Sequence, residues 1–145
     1  MGWKIDFKKF RIYLKEKFSI TKAYYFIGYV DGNSDLYVSL QEAGYILIFK
    51  PTFKNKEGKL KGNCDAELVL QAMIDFNKYE KAVIVSGDGD FYCLIKYLRD
   101  KNKLLNVIVP NKEKYSALIK KSAEGKITFM NDLKNKVEFL NEKTP

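Results

Sequence analysis

One stretch constrains this chain more than any other, a short apolar run that ends abruptly in glycines and carboxylates. Residues 82–85 are Ala-Val-Ile-Val, residues 86–90 are Ser-Gly-Asp-Gly-Asp, and a helical pattern follows. A continuous apolar run of this length predicts a strand buried on both faces, as in parallel sheets. Because open α/β sheets bind ligands beyond the carboxyl ends of their strands, we expect Asp88 and Asp90 to lie at the functional edge.

Asp88 and Asp90 admit two interpretations at this point. Neighbouring carboxylates repel each other unless a positive charge lies between them, and Mg²⁺ and Mn²⁺ prefer oxygen ligands. Alternatively, Asp88 closes a turn and Asp90 caps the helix that follows, both of which are ordinary structural roles of Asp. The pair by itself does not decide between a metal site and a local structural role.

The chain contains no histidine, and this absence excludes several classes of chemistry. Ser-His-Asp and Cys-His nucleophile systems, a histidine general base and most zinc sites all need an imidazole. Any hydrolytic reaction would therefore depend on carboxylates and a hard metal ion. The net charge of +8 favours a polyanionic partner such as nucleic acid or an anionic membrane, although a soluble lysine-rich protein has the same balance.

Length and hydrophobicity predict one folded domain. With 145 residues and 46% hydrophobic content, we expect a single domain over residues 1–140 and a disordered tail over residues 141–145. No stretch has the apolar length of a membrane span, and the N-terminus lacks a signal-peptide layout, so we expect a cytoplasmic location. Cys64 and Cys93 both fall inside predicted helices, which indicates buried or half-buried thiols.

Predicted strands and helices alternate along the chain. The helices are expected over residues 5–18, 35–43, 64–77, 91–101, 114–123 and 133–140, and the strands over residues 23–30, 45–49, 82–85, 104–109 and 127–129. This alternation is typical of the α/β class, here a three-layer α/β/α sandwich with a mainly parallel sheet.

Asp65 lies in the first turn of the helix predicted over residues 64–77. By three- and four-residue spacing it shares a stripe with Val69 and Met73, the face that is expected to pack on the sheet. A carboxylate there is unusual unless it points past the sheet edge, at the same end as Asp88 and Asp90. Glu67 is about 200° round the helix and does not share the stripe. The structural alternative for Asp65 is a favourable interaction with the helix dipole.

The segment over residues 50–63 is predicted to be a loop with a strong basic bias. It contains one acidic residue, Glu57, against five lysines: Lys50, Lys54, Lys56, Lys59 and Lys61. The segment is either a solvated surface loop or a substrate loop whose ammonium groups bind phosphates. The composition favours neither interpretation over the other.

Two motifs together resemble a known family. Residues 61–65, Lys-Gly-Asn-Cys-Asp, open a helix, and about twenty residues later Ser86-Gly-Asp-Gly-Asp-Phe91 follows a predicted buried strand. This combination is similar to the NYN domain, the LabA-like branch of the PIN-domain nuclease superfamily, and the likeness extends over nearly the whole chain in the same element order.

The resemblance implies a PIN-like fold and a metal-dependent ribonuclease. Family domains gather acidic residues at the carboxyl edge of a parallel sheet, where these hold Mg²⁺ or Mn²⁺. By position, the catalytic and metal-ligating residues implied here are Asp65, Asp88 and Asp90, with Ser86 as the hydroxyl residue beside them. The lysines implied to face the substrate backbone are Lys50, Lys54, Lys59 and Lys61.

The likeness departs from the family pattern at the N-terminus. Family members begin with a central hydrophobic strand that ends in a metal-ligating Asp, whereas residues 1–7 resemble the part that follows it. Neither Asp6 nor Asp31 matches the missing position. Three explanations stay open: an incomplete start of an active enzyme, a gap filled by a partner or a rearranged sheet, or an inactive copy. Sheet edges left by a missing strand also favour a homodimer.

The resulting hypothesis is hydrolysis of RNA phosphodiester bonds by metal-activated water, with the Asp residues as ligands. With no base-reading motif in view, we expect a weak sequence preference, and single-stranded RNA as the substrate. We also expect no membrane contact. One alternative is a catalytically impaired RNA-binding or scaffold module with the same basic surface. Another is a phosphatase that uses an Asp-x-Asp pair. Residues 88–90 have that spacing, but the hydroxyl residue expected two positions after the second Asp is not supplied by Cys93 or Leu94.

Overall fold

The computed structural model describes residues 2–54, 60–61 and 63–140. In chain order the elements are α1 (Phe7–Phe18), β1 (Ala23–Tyr29), α2 (Ser34–Glu42), β2 (Tyr45–Pro51), β3 (Phe53–Lys54), β4 (Leu60–Lys61), α3 (Asp65–Ile74), β5 (Ala82–Val85), α4 (Tyr92–Asp100), β6 (Leu104–Val109), α5 (Ala117–Ala123), β7 (Ile127–Phe129) and α6 (Lys134–Val137). Three 3-10 turns lie at Phe76–Lys78, Gly89–Phe91 and Met130–Leu133. The predicted α/β class with mainly parallel strands is confirmed.

The described residues fall into two compact units. The first unit comprises residues 6–71, and the second comprises residues 2–5 together with residues 72–140. The predicted single domain over residues 1–140 stays a prediction, and the tail expected over residues 141–145 lies outside the described residues. No helix within the described ranges is both long enough and apolar enough to cross a membrane.

The first unit is built on a parallel pair of strands. β1 and β2 pair in register from Ala23 opposite Tyr45 to Tyr29 opposite Pro51. Ala23, Tyr45 and Leu40 of α2 form a buried cluster, against which Phe7 packs from the start of α1. Helix α1 begins at Phe7, two residues later than predicted, because Asp6 caps it: the Asp6 carboxylate accepts a hydrogen bond from the Lys9 N–H at 3.1 Å.

The second unit is built on three parallel strands in the order β5-β6-β7. The central strand β6 was predicted at its observed bounds, and its fully buried residues are Leu104, Val107, Ile108 and Val109. Helix α4 adds an apolar face to the core of this unit, whose buried residues are Leu94, Ile95 and Leu98. Near the N-terminus, Ile5 forms an antiparallel bridge with Glu138.

Strand β5 is less buried than the sequence predicts. Val85, expected to be covered on both faces, is 39% exposed, while Ile84 is buried. In the part of the chain that the structure describes, β5 pairs with β6 and lies at the edge of the three-stranded ladder. A side chain at the end of an edge strand has fewer neighbours than one in β6, which explains the difference.

Helix α3 also differs from its prediction. It was expected to pack an apolar stripe onto a sheet, but it contains no buried residue, and Leu70, Met73 and Ile74 are exposed. The helix begins at Asp65 and ends at Ile74, so Cys64 precedes it rather than lying inside it. Cys93, predicted to be buried or half-buried, is exposed, whereas Cys64 is half-buried as expected.

Two further boundaries were predicted wrongly for identifiable reasons. The lysine-rich segment is not a loop throughout, because β3 and β4 pair as an antiparallel hairpin with Phe53 opposite Lys61. Helix α5 starts at Ala117 instead of residue 114, because Ser116 caps it: the Ser116 hydroxyl oxygen accepts the Leu118 N–H at 3.1 Å.

Candidate active site

The acidic loop of the second unit, residues 86–90, leaves the carboxyl end of β5 in a defined conformation. The Ser86 N–H donates to the Ile108 carbonyl at 3.0 Å, which extends the ladder with β6 by one residue. The Ser86 hydroxyl oxygen then accepts the Asp88 N–H at 3.0 Å. One carboxylate oxygen of Asp88 accepts the Asp90 N–H at 2.9 Å. The side chains of Ser86 and Asp88 thus each fix the backbone two residues further on.

The two glycines of the acidic loop allow it to lie against the residues that precede α5. The Ser116 N–H donates to the Gly87 carbonyl at 3.1 Å. A Cβ added at Gly87 would lie 3.1 Å from the Tyr115 Cβ, and a Cβ added at Gly89 would lie 2.9 Å from the Ser116 Cβ. The loop therefore needs a residue without a side chain at position 89.

The structure assigns a local role to Asp88 without removing its capacity to bind a metal. Asp88, not Asp90, is the capping residue, since its side chain caps the 3-10 turn Gly89–Phe91. Both Asp88 and Asp90 are exposed at the end of the strand. A carboxylate has two oxygens and about four lone-pair sites, so one hydrogen bond from a backbone N–H leaves room for a cation.

Asp65 lies in the first unit, at the first residue of α3, and is half-buried. Its backbone N–H donates to the Asn63 side-chain carbonyl oxygen at 2.8 Å. The first helical hydrogen bond follows at once, from the Leu68 N–H to the Cys64 carbonyl at 3.0 Å. The start of α3 is thus determined locally by Asn63, a residue to which the sequence analysis gave no role.

Lys50 and Glu67 lie beside Asn63 in the first unit. The Lys50 ammonium donates to the Asn63 backbone carbonyl at 2.6 Å, and the Glu67 Oε1 atom lies 3.8 Å from the Lys50 Nζ. Among the described residues, Glu67 Oε1 is buried and has no hydrogen-bond partner. Helical spacing placed Glu67 off the face of Asp65, and no signal in the sequence connects it with a lysine of β2.

The pKa of the Cys64 thiol depends on its burial and on the charged side chains around it. Burial raises the pKa of Cys64, and the carboxylate of Glu67 raises it further. The ammonium of Lys50 lowers that pKa, and the carboxylate of Asp65 raises it. Two carboxylates and one ammonium group therefore act on the same thiol within the first unit.

Two other lysines of the predicted substrate segment lie on the β3–β4 hairpin. Lys54 lies in β3 and Lys61 in β4, at the two ends of the hairpin. Lys59 lies outside the described residues. The ammonium of Lys50, also predicted to bind phosphate, instead contacts two protein groups, the Asn63 carbonyl and the Glu67 carboxylate.

The donor set of the predicted site suits a hard divalent cation. Asp65, Asp88 and Asp90 offer carboxylate oxygens, and the sequence contains no histidine that would favour zinc. In the second unit, Asp88 and Asp90 follow the carboxyl end of β5. In the first unit, Lys50 near the carboxyl end of β2 binds Asn63, which lies two residues before Asp65. The residues present therefore fit Mg²⁺ or Mn²⁺.

A known family model matches most of the chain. The family model described as NYN domain matches residues 1–130. This range includes every predicted site residue and both motifs on which the resemblance was based.

A curated relative and a solved structure are also similar. The chain is 27% identical over 117 residues to the low amplitude and bright protein LabA of Synechococcus elongatus; this covers 74% of the chain and 63% of that relative's length. The crystal structure of a protein of unknown function from Vibrio parahaemolyticus is similar with a TM-score of 0.73 and 19% identity, over 94% of this chain and 83% of that one. The second likeness shows the fold, and it agrees with the predicted α/β class.

Proposed function

Because the chain belongs to the NYN domain family, we propose that it is a metal-dependent ribonuclease that hydrolyses phosphodiester bonds of RNA. The observation that carries the proposal is the acidic loop after β5. That loop presents two exposed carboxylates, Asp88 and Asp90, in a conformation held by successive hydrogen bonds to backbone N–H groups. A backbone held in this way presents two exposed carboxylates at the end of a parallel strand, and this arrangement suits the binding of a cation.

Asp65, Asp88 and Asp90 are the proposed ligands of Mg²⁺ or Mn²⁺. The bound ion would activate water and offset negative charge on the phosphate under attack. Asp88 also holds the Asp90 backbone, and the Ser86 hydroxyl holds the Asp88 backbone. Ser86 therefore acts by positioning Asp88, which gives a physical role to the hydroxyl that the family pattern implies.

The proposed substrate is single-stranded RNA with little sequence preference. The net charge of +8 favours a polyanion, and Lys54, Lys59 and Lys61 would neutralise phosphates on either side of the cleaved bond. Contacts to phosphates carry no sequence information, which accounts for the expected weak preference. A flexible single strand can also reach an exposed carboxylate pair more easily than a rigid duplex.

The experiment that tests this function is cleavage of a fluorescent single-stranded RNA in Mn²⁺. We expect the unaltered protein to cut the RNA, EDTA to stop the reaction, and Asp88→Asn to lower the rate at least a hundredfold. Asp35→Asn is the matched control, since Asp35 is an exposed aspartate in the first turn of another helix, α2. It should cut as the unaltered protein does.

Two results would contradict the proposal. If the unaltered protein binds the RNA and cuts it no faster than Asp88→Asn does, the chain is an RNA-binding or scaffold module. If the protein leaves RNA intact and hydrolyses a small phosphomonoester, the Asp-x-Asp phosphatase interpretation takes its place.

A further inference from the structure

Lys50 makes its polar contacts inside the first unit. It lies near the end of β2, and its ammonium donates to the Asn63 carbonyl at 2.6 Å. The side chains of Lys50 and Glu67 are 33% and 29% exposed, and the ion pair between them spans 3.8 Å. A lysine that is two-thirds covered and already paired is poorly suited to bind a substrate phosphate, because the existing contacts would have to be given up.

Asn63 connects Lys50 with the proposed metal ligand Asp65. Its backbone carbonyl accepts the Lys50 ammonium, and its side-chain carbonyl accepts the Asp65 N–H at 2.8 Å. In sequence, the β3–β4 hairpin lies between β2 and Asn63. The Lys50 side chain connects Asn63 directly to β2.

Glu67 keeps the Lys50 ammonium in this position. Its Oε1 atom is buried and, within the described ranges, accepts no hydrogen bond, so the ammonium 3.8 Å away is the charge that compensates it. Moving Lys50 into solvent would leave a buried carboxylate oxygen uncompensated, which is unfavourable.

We propose that Lys50 is a positioning residue, which holds Asn63 and through it orients Asp65, rather than a phosphate-binding residue. The proposal deepens the proposed function, on which it rests for the role of Asp65 as a ligand. Groups that orient a metal ligand without touching the metal commonly change metal affinity ten- to a hundredfold when they are removed. The hydrogen bonds from Lys50 to Asn63 and from Asp65 to Asn63 form the path of this effect.

The test compares four variants of the full chain: Lys50→Met, Lys50→Arg, Glu67→Gln and, as the matched control, Lys8→Met. Lys8 is an exposed lysine of α1 in the same unit. The first readout is the hydrogen-exchange rate of the Asp65 amide, followed by NMR without any metal. The second is the salt dependence of RNA affinity, measured in EDTA, and the third is the affinity for Mn²⁺.

We expect Lys50→Met to speed exchange of the Asp65 amide about five- to tenfold, as loss of one hydrogen bond would. Lys50→Arg, which keeps a cationic donor, should restore most of the protection. Glu67→Gln removes the charge that keeps the Lys50 ammonium beside Asn63, and it should also speed exchange of the Asp65 amide, though by less than Lys50→Met does. The salt slope of RNA binding should equal that of the control, and Mn²⁺ affinity of Lys50→Met should fall about tenfold.

The outcomes separate this proposal from the proposed function. Unchanged exchange of the Asp65 amide in Lys50→Met overturns the positioning role. A salt slope that falls by about one unit also overturns it, because that is the signature of a lost phosphate contact. If the unaltered protein binds no Mn²⁺ while the exchange result holds, the ribonuclease function fails and the Lys50–Asn63–Asp65 connection stands. Retention of folding is checked by circular dichroism. If Lys50→Met does not fold, Glu67→Gln decides, because unchanged exchange of the Asp65 amide in that variant also overturns the positioning role.

Discussion

At the scale of single residues, Gly89 shows how the acidic loop is held by close packing. A Cβ at position 89 would lie 2.9 Å from the Ser116 Cβ, closer than side-chain atoms approach without displacement. The motif analysis identified Asp88 and Asp90 on either side of this glycine, but it had no means of finding Ser116. Residues 89 and 116 become neighbours through the fold of the second unit, which no local pattern reveals.

We predict that Gly89→Ala lowers the free energy of unfolding by about 1–3 kcal/mol, the usual cost of inserting a methyl group into packed structure. The effect should be smaller in a Ser116→Gly background, where the clashing side chain is absent. Gly2→Ala is the control, because a Cβ there would meet no atom within 4 Å. Urea unfolding followed by circular dichroism measures these values. Equal costs of Gly89→Ala in both backgrounds would show that Ser116 is not the obstacle.

Tyr45 gives the first unit a predictable response to alkaline pH. Its hydroxyl donates to the Phe7 carbonyl at 2.6 Å. Burial is the main cause that raises the pKa of Tyr45; the Arg11 charge lowers that pKa, and Tyr25 and Asp6 raise it. The pKa is higher in the folded chain than the value of about 10 in an unfolded chain. The stabilisation of the folded chain that follows from this difference in pKa is therefore complete below about pH 10, and it is lost as the pH rises above that value.

We predict that Tyr45→Phe lowers the free energy of unfolding at pH 7 by about 1 kcal/mol, the usual net value of one hydrogen bond. The gap between the two proteins should narrow above about pH 10, because the phenylalanine variant has no phenol to ionise in the unfolded state. Urea unfolding at pH 7 and at about pH 10.5 measures the gap, with Tyr29→Phe as an exposed-tyrosine baseline. A gap that stays constant with pH would refute the linkage.

At the scale of elements, the positions of the longer strands were predictable, whereas the β3–β4 hairpin and several helix starts were not. The largely apolar segment over residues 104–109 predicted β6 at its observed bounds, because it ends in three consecutive β-branched residues, which favour a buried strand. The start of the 3-10 turn Gly89–Phe91 and the start of α5 depend on which side chain caps them. Asp88 caps the turn and Ser116 caps α5, and the choice among neighbouring polar residues is made by tertiary packing.

Lys103 joins two elements of the second unit in a way that the sequence does not reveal. Its ammonium donates to the Phe76 carbonyl at 2.7 Å and also to the Tyr79 carbonyl. It lies 4.6 Å from the centre of the Phe76 ring and 4.9 Å from that of Tyr79. The start of β6 is thereby attached to the 3-10 turn that follows α3.

We predict that Lys103→Met lowers the free energy of unfolding by about 1.5–3 kcal/mol, since hydrogen bonds from a charged group are worth more than neutral ones. Lys101→Met is the matched control, because the Lys101 ammonium lies 5.6 Å from the centre of the Tyr97 ring and Lys101 is exposed. Its cost should stay below about 1 kcal/mol. Thermal and urea unfolding measure both variants, and equal costs would show that the Lys103 contacts contribute nothing specific.

At the scale of the whole molecule, the family and the fold class could be predicted because two motifs and the order of the elements agree. The pairing of Lys50 with Asn63 and Glu67 could not, since the partners lie 13 and 17 residues apart and on different elements. Exposure was also hard to predict: Val85 and Leu70 have apolar side chains that suggest burial, and burial depends on which elements cover them. The homodimer and the cytoplasmic location stay predictions.

The central claim of the proposed function is that the carboxylates of Asp65, Asp88 and Asp90 are ligands of a divalent cation. The most direct test is a calorimetric titration with Mn²⁺ of the unaltered protein, Asp65→Asn, Asp88→Asn and the control Asp35→Asn. The account predicts that Asp65→Asn and Asp88→Asn each weaken Mn²⁺ binding at least tenfold and that Asp35→Asn leaves it unchanged. If Asp65→Asn and Asp88→Asn bind Mn²⁺ as tightly as the unaltered protein does, the proposed ligand set is contradicted.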